Sequence, residues 1–243
     1  MPAPIALSDL PPQTNRLLAT LTPEVQQPLL AQCQLVSLHF AEQLCLPEQP
    51  YQFVYFPLTS FISLLAKLPG HPPLEMALIG YEGMLGATLL LQSRQVPLQA
   101  IVQGAGLAWQ MPVTVLEQHL QQLGLQPDSI RSAGQLQPVL QRYLLQLLTQ
   151  LSQNAICAHF HQVEERLARW LLMSQDRYQQ QQLYLTQQFL ADMLGVRRSS
   201  ITVAAGDLQL HGLISYQRGH LLILDRPGLL RRSCSCYQPL LLN

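Results

Sequence analysis

Two guanidinium groups and three hydroxyls crowd into one short run, Arg197, Arg198, Ser199, Ser200 and Thr202. One arginine of such a run can fork onto a guanine, a contact worth roughly 1–3 kcal/mol of base discrimination, while the other groups hold phosphates. Arg198 is the candidate for the base, with Arg197, Ser199 and Thr202 clustered around it. Ser200, with Thr186 and Gln187 upstream, suits the nucleic-acid backbone. On an ordinary helical hairpin the same residues would be a solvated face, so the frame that positions them decides the reading.

That frame is legible on both sides of the run. Thr186 is placed to cap a helix whose Phe189, Leu190, Met193 and Leu194 form one apolar face. Ala191 is small where a second helix must come close. Gly195 is set to end the helix, as a residue needing positive φ does. Val196 buries in the turn, and the next helix opens at Arg197 or Ser199 and packs through Ile201, Ala205 and Leu208. Two helices joined by a tight glycine turn make a helix-turn-helix, whose second helix fits the major groove. Downstream, the β-rich stretches Leu213–Tyr216 and His220–Leu224 flank Gln217-Arg218-Gly219, a hairpin turn. A hairpin at this place is a wing, with Arg218 at its tip facing a phosphate.

Charge supports a polyanion at this end only. Residues 1–130 hold three basic against eight acidic groups, net −5, whereas residues 131–243 hold eleven against six, net +5. The whole chain of 243 residues is neutral, 48% hydrophobic and only 12% charged, a balance that excludes disorder. Five cysteines without regular spacing argue against a disulfide framework and for a reducing compartment. Neither a signal peptide nor an apolar run of membrane-spanning length is evident, so a soluble cytoplasmic protein is expected.

The chain changes texture along its length. Thr22-Pro23-Glu24 suits the start of a short helix. From about Val36 to Met111, short apolar runs (Phe53–Phe56, Phe61–Leu65, Met76–Ile79, Ala100–Val102) alternate with proline and glycine, the pattern of a β-sandwich or barrel. After Pro127 the period becomes helical. Leu140, Leu144, Leu147, Leu151, Asn154 and Ala158 repeat every 3.5 residues, flanked by Val139, Tyr143 and Leu148. That seam predicts a parallel homodimer with Asn154 as a polar register-setter; the alternative is a helix packed only on its own chain. A further helix is expected over about His161–Gln175, with Val163, Leu167, Trp170 and Leu171 inward, and a polar connector at Gln179–Gln182.

Residues from about 161 to 230 closely resemble the C-terminal domain of the Crp/Fnr family of transcription regulators. Leu185-Thr186, Ala191, Leu194-Gly195-Val196-Arg197-Arg198, Leu208, Gly212-Leu213-Ile214 and Arg218-Gly219 carry the likeness, and Glu164–Leu172 looks like the linking helix. Before residue 130 the likeness is loose. It implies an α+β chain with a jelly-roll-like β-roll sensor at 1–126, a dimerisation helix at 127–160 and a winged helix-turn-helix at 161–243. The implied partners are double-stranded DNA and a second copy of the chain, with RNA polymerase a further candidate and no membrane.

The effector is the weak part of that likeness. Cyclic-nucleotide-binding relatives use a glycine-glutamate pair and, a dozen residues on, an Arg-Ser pair for the phosphate. The corresponding region here runs Gly80-Tyr81-Glu82-Gly83-Met84-Leu85-Gly86, then Pro97–Val102. Aligning Gly83 without a gap puts Met84 at the glutamate, Arg94 at the arginine and Gln95 at the serine; aligning Ala100-Ile101-Val102 puts Leu98 and Gln99 at the last two. Neither keeps the set, so the signal is expected to be something other than cyclic AMP, with Glu82, Gly83 and Arg94 the residues a cyclic-nucleotide reading would use.

No cofactor, metal or catalytic residue is expected. Cys33 and Cys45 alone cannot hold an iron–sulfur cluster, Cys234-Ser-Cys236 reads as a packed tail, and His159 and His161, near Glu164, read as surface or dimer-contact residues. A cupin-like enzyme is the competing class, but His39, His71 and His119 are widely separated and no nucleophile–base pair or dinucleotide fingerprint appears.

Overall fold

The computed structural model describes residues 15–96, 98–124, 134–178 and 182–237. The switch expected at Pro127, residue Pro97 and most of the Gln179–Gln182 connector fall outside them. The proline- and glycine-punctuated half forms two antiparallel sheets. One has the order β1 (Gln34–Leu38), β7 (Gly106–Pro112), β3 (Phe53–Pro57); the other runs β2 (Gln43–Cys45), β6 (Gln99–Gly104), β4 (Phe61–Ala66), β5 (Leu74–Ile79). Each apolar run singled out above lies within one of these strands. Phe56, Phe61, Ile62, Met84 and Met111 are fully buried between and around the sheets.

Two short helices precede the sheets, α1 (Arg16–Ala19) and α2 (Pro23–Leu30). Pro23 takes the first turn of α2 as expected, and Thr22 occupies the N-cap position, but its hydroxyl makes no capping bond. A helix not anticipated, α3 (Val113–Gly124), follows β7.

The helical period after residue 134 becomes α4 (Leu136–Phe160). It lies on the roll: Val139, Leu140 and Tyr143 are buried in the same core as the sheets, with Leu144 and Leu147 packed against it. Gly83 is required here, because a β-carbon on it would fall 2.2 Å from the Tyr143 hydroxyl. Further along, α4 covers a sheet edge. β5 is an edge strand whose outward amides would otherwise be open to another chain. Gln150 accepts from the Leu78 N–H at 2.7 Å, and the Asn154 amide donates to the Met76 carbonyl at 2.6 Å.

The backbone breaks after Phe160, and α5 (Val163–Arg177) opens with a capping box between Gln162 and Glu165. Leu167, Trp170 and Leu171 point inward as expected, joined by Ala168 and Leu172. Behind α5 come β8 (Gln182–Tyr184), α6 (Gln187–Leu194), α7 (Arg198–Leu210), β9 (Ile214–Gln217), β10 (His220–Ile223) and α8 (Arg226–Arg232). Gln182, read as connector, thus opens a strand. β10 pairs with both β8 and β9, so the wing is a three-stranded sheet. Among the described residues, no helix is long and apolar enough to cross a membrane.

Candidate nucleic-acid interface

The helix-turn-helix is held at each junction by the residue types that suggested it. The Thr186 hydroxyl accepts from the Phe189 N–H at 3.1 Å, satisfying one of the free donors at the start of α6. Gly195 ends α6 with φ 63° and ψ 40°. Its N–H reaches Asp192 and that of Val196 reaches Ala191 at 2.9 Å, the paired bonds of a Schellman turn. Leu190, Ala191, Ile201, Ala205 and Leu208 are buried where α6 crosses α7. α7 begins at Arg198 with Arg197 at its N-cap.

This scaffold leaves Arg197, Arg198, Ser199 and Thr202 exposed at the start of α7, with Ser200 half-buried. Thr202 donates to the Gln187 side chain at 2.8 Å, locking the two helices in register. In the wing, Arg218 and Gly219 both have positive φ, 49° and 86°, as a type I′ hairpin turn requires. Arg218 is therefore held at the tip by the backbone itself. Thr186, Gln187, Gln188, Arg198, Arg218 and Gly219 line one open concavity over the buried Tyr216, whose hydroxyl donates to the Leu185 carbonyl at 2.6 Å. Among the described residues, no carboxylate pairs with Arg197, Arg198 or Arg218. Sequence reasoning missed Val203, which stands 74% exposed beside Thr202 on the outer face of α7.

Five of the six positions expected at a dimer seam are engaged within the chain. Leu140 is buried and Leu144, Leu147 and Leu151 are half-buried against the roll, because the roll supplies apolar surface to that side of α4. Asn154, the expected register-setter, is engaged within its own chain: its amide donates to the Met76 carbonyl at 2.6 Å and its oxygen accepts from Arg169 at 2.7 Å. Ala158 is exposed. The uncovered apolar stripe is the neighbouring one, Leu145, Leu148, Ile156 and Phe160.

The effector candidates are not assembled around a ligand space. Glu82 is buried in an ion pair, its Oε1 2.7 Å from Nε of Arg177 in α5. The space beside Gly83 is taken by Tyr143. Arg94 is exposed and forks onto Glu117, holding that carboxyl below its ordinary range. A cavity of about 240 Å³ does lie between the roll and α4, lined by Leu64, Ile79, Leu85, Leu144, Leu147 and Leu151 among others. Its polar groups are the hydroxyls of Tyr51 and Thr88, and burial pushes the Tyr51 phenol up to about 12.

Residues 165–232 match the Crp-like helix-turn-helix domain family. FixK2 of Bradyrhizobium japonicum superimposes with a TM-score of 0.65 at 16% identity, over 84% of this chain and 98% of that one. The c-di-GMP-responsive global regulator CLP of Xanthomonas campestris gives 0.64 at 19% identity, over 82% and 97%. A CRP-family transcriptional regulator of Thermus thermophilus gives 0.64 at 15%, over 84% and 99%. No curated protein sequence matches. The chain thus has the fold of the Crp/Fnr-type regulators on which it superimposes, and its residues 165–232 form a Crp-like helix-turn-helix domain.

Proposed function

We propose that the chain is a sequence-specific transcription regulator that binds DNA as a homodimer, its two α7 helices reaching successive major grooves roughly 34 Å apart on a palindromic operator. The observation that carries this reading is the concavity where Thr186, Gln187, Arg198 and Arg218 converge with no carboxylate among the described residues to neutralise the arginines. Arg198 sits where a recognition helix meets base edges; Arg218 sits where a wing meets phosphate. Val203 adds an apolar contact suited to a thymine methyl. The roll, α4 and the winged domain would serve as sensor, dimer element and reader, with RNA polymerase a candidate partner.

The arginine roles separate in one binding series. Arg198→Ala relaxes preference at one base position per half-site, by about 1–3 kcal/mol, while Arg218→Ala weakens all sequences alike and lowers the salt slope by about 1. Affinities on cognate and scrambled duplexes across a salt titration check both. Equal losses on the two duplexes for both variants would remove the division of roles, and an absence of salt-sensitive affinity would remove DNA binding itself.

The signal reaching the roll is apolar rather than nucleotide. A phosphate in the cavity beside α4 would be a buried charge without a cationic partner, since Arg94 is engaged with Glu117 outside it. Calorimetry with cyclic AMP and cyclic GMP is therefore expected to give no binding heat at micromolar ligand. Tight binding abolished by Arg94→Ala would reverse this.

A further inference from the structure

Three thiols and an imidazole from two distant stretches of the chain come together. Cys157, His161, Cys234 and Cys236 each bring a ligand atom within 4.8 Å of all the others. The Cys157 and Cys234 sulfurs lie 3.4 Å apart, and the Cys236 sulfur is 3.6 Å from Nδ1 of His161. Cys157 and Cys234 are buried. A tetrahedral zinc site with Zn–S near 2.3 Å spaces its ligand atoms by roughly 3.7 Å, so small side-chain adjustments suffice to close this set on one ion. Iron–sulfur clusters, whose thiolates attach to different irons, need a wider ring.

Charge points the same way. Arg169 is buried beside the cluster, donating to the Cys236 carbonyl at 3.2 Å and to Asn154 at 2.7 Å. Among the described residues, no carboxylate comes within ion-pair distance of it. Its hydrogen-bond acceptors are neutral and the buried Glu75 carboxyl couples to it only from beyond ion-pair distance, so its charge is incompletely compensated. Three thiolates and a divalent ion leave one net negative charge, which would compensate it.

We propose that Cys157, His161, Cys234 and Cys236 form a mononuclear site for a tetrahedral divalent metal ion, zinc by the softness and geometry of the ligands. Two ligands come from the end of α4 and the break after it, and two from the segment following α8. The ion therefore clamps the winged domain to the long helix across the α4–α5 break, where the angle between them is set. The break frees His161, in extended backbone just past the helix end, to face the cysteines.

The test is Co²⁺ titration of the reduced, metal-stripped full chain. One Co²⁺ per chain is expected to bind with the thiolate charge-transfer and d–d bands of a tetrahedral site, and Zn²⁺ should displace it stoichiometrically. The double variant Cys234→Ser/Cys236→Ser is expected to lose the bands with its circular dichroism unchanged, and Cys33→Ser/Cys45→Ser to retain them. Arg169→Gln should weaken metal binding by about 10–100-fold, as loss of an outer-shell partner does. Absence of the bands in the folded wild-type chain, or their survival in Cys234→Ser/Cys236→Ser, overturns the site. A Cys157–Cys234 disulfide found by mass spectrometry in a chain that takes up no Co²⁺ after reduction overturns it equally, in favour of a redox pair.

Discussion

Glu82→Ala lowers the stability of the chain by about 3–5 kcal/mol in urea unfolding, with the slope unchanged. The loss exceeds that of an ordinary surface carboxylate because neither partner reaches water: Glu82 is 5% and Arg177 3% exposed. Oε1 of Glu82 lies 2.7 Å from Arg177 Nε and also accepts from the Gly80 N–H at 3.2 Å. Once the carboxylate is gone, Arg177 keeps, among the described residues, its bond from Nη1 to the Met173 carbonyl and a longer-range attraction to the buried Glu75. A guanidinium is then stranded between the roll and α5, where Gly80 leaves room for no added side chain. Arg177→Met in the Glu82→Ala background recovers much of the loss, since removing both charges costs less than orphaning one. A loss below about 1 kcal/mol for Glu82→Ala would mean that water reaches the pair and that it does not fasten the roll to α5.

The winged helix-turn-helix is legible in the sequence because its signals are local. A capping threonine, a glycine with positive φ and a short apolar period fix the helix-turn-helix within a few turns of chain, and Thr186, Gly195 and the Arg218-Gly219 turn stand where that logic puts them. The strands β2 and β8, three residues each, carry no period long enough to register. α4 was visible as a helix, but its apolar residues cover more than one face, and period alone cannot say which face meets the roll and which is left over. Asn154 shows why: its amide is claimed by the backbone of Met76, 78 positions away. The cysteine–histidine cluster was hidden for the same reason. Cys157 and Cys234 are 77 residues apart, and only the break after Phe160 turns His161 toward them. Its one local trace is the four-residue step from Cys157 to His161, a spacing that an unbroken helix would put on one face.

The second large effect concerns association, because α4 keeps an apolar stripe that its own chain does not cover. Leu145 and Phe160 are 64% and 72% exposed, with Leu148 and Ile156 each more than half exposed between them. Steps of three and four residues connect Leu145, Leu148, Ser152, Ala155 and His159, all exposed, in the 3.5-residue repeat of a two-helix seam. In the proposed homodimer a second copy of α4 running parallel would bury this stripe. The chain is therefore expected to sediment as a dimer at micromolar concentration. Leu145→Glu with Ile156→Glu converts it to a monomer of unchanged helix content, since both side chains already face solvent within the single chain. Affinity for a palindromic site falls with it by about 10²–10⁴-fold, the loss of a linked second contact, while affinity for an isolated half-site stays as it was. Leu140→Ala provides the contrast: it costs about 2–5 kcal/mol of folding stability from the roll side of the same helix, without changing the order of assembly. A wild-type monomer at micromolar concentration, or a charged double variant that remains dimeric, would place the seam elsewhere and leave the paired-groove arrangement without its axis.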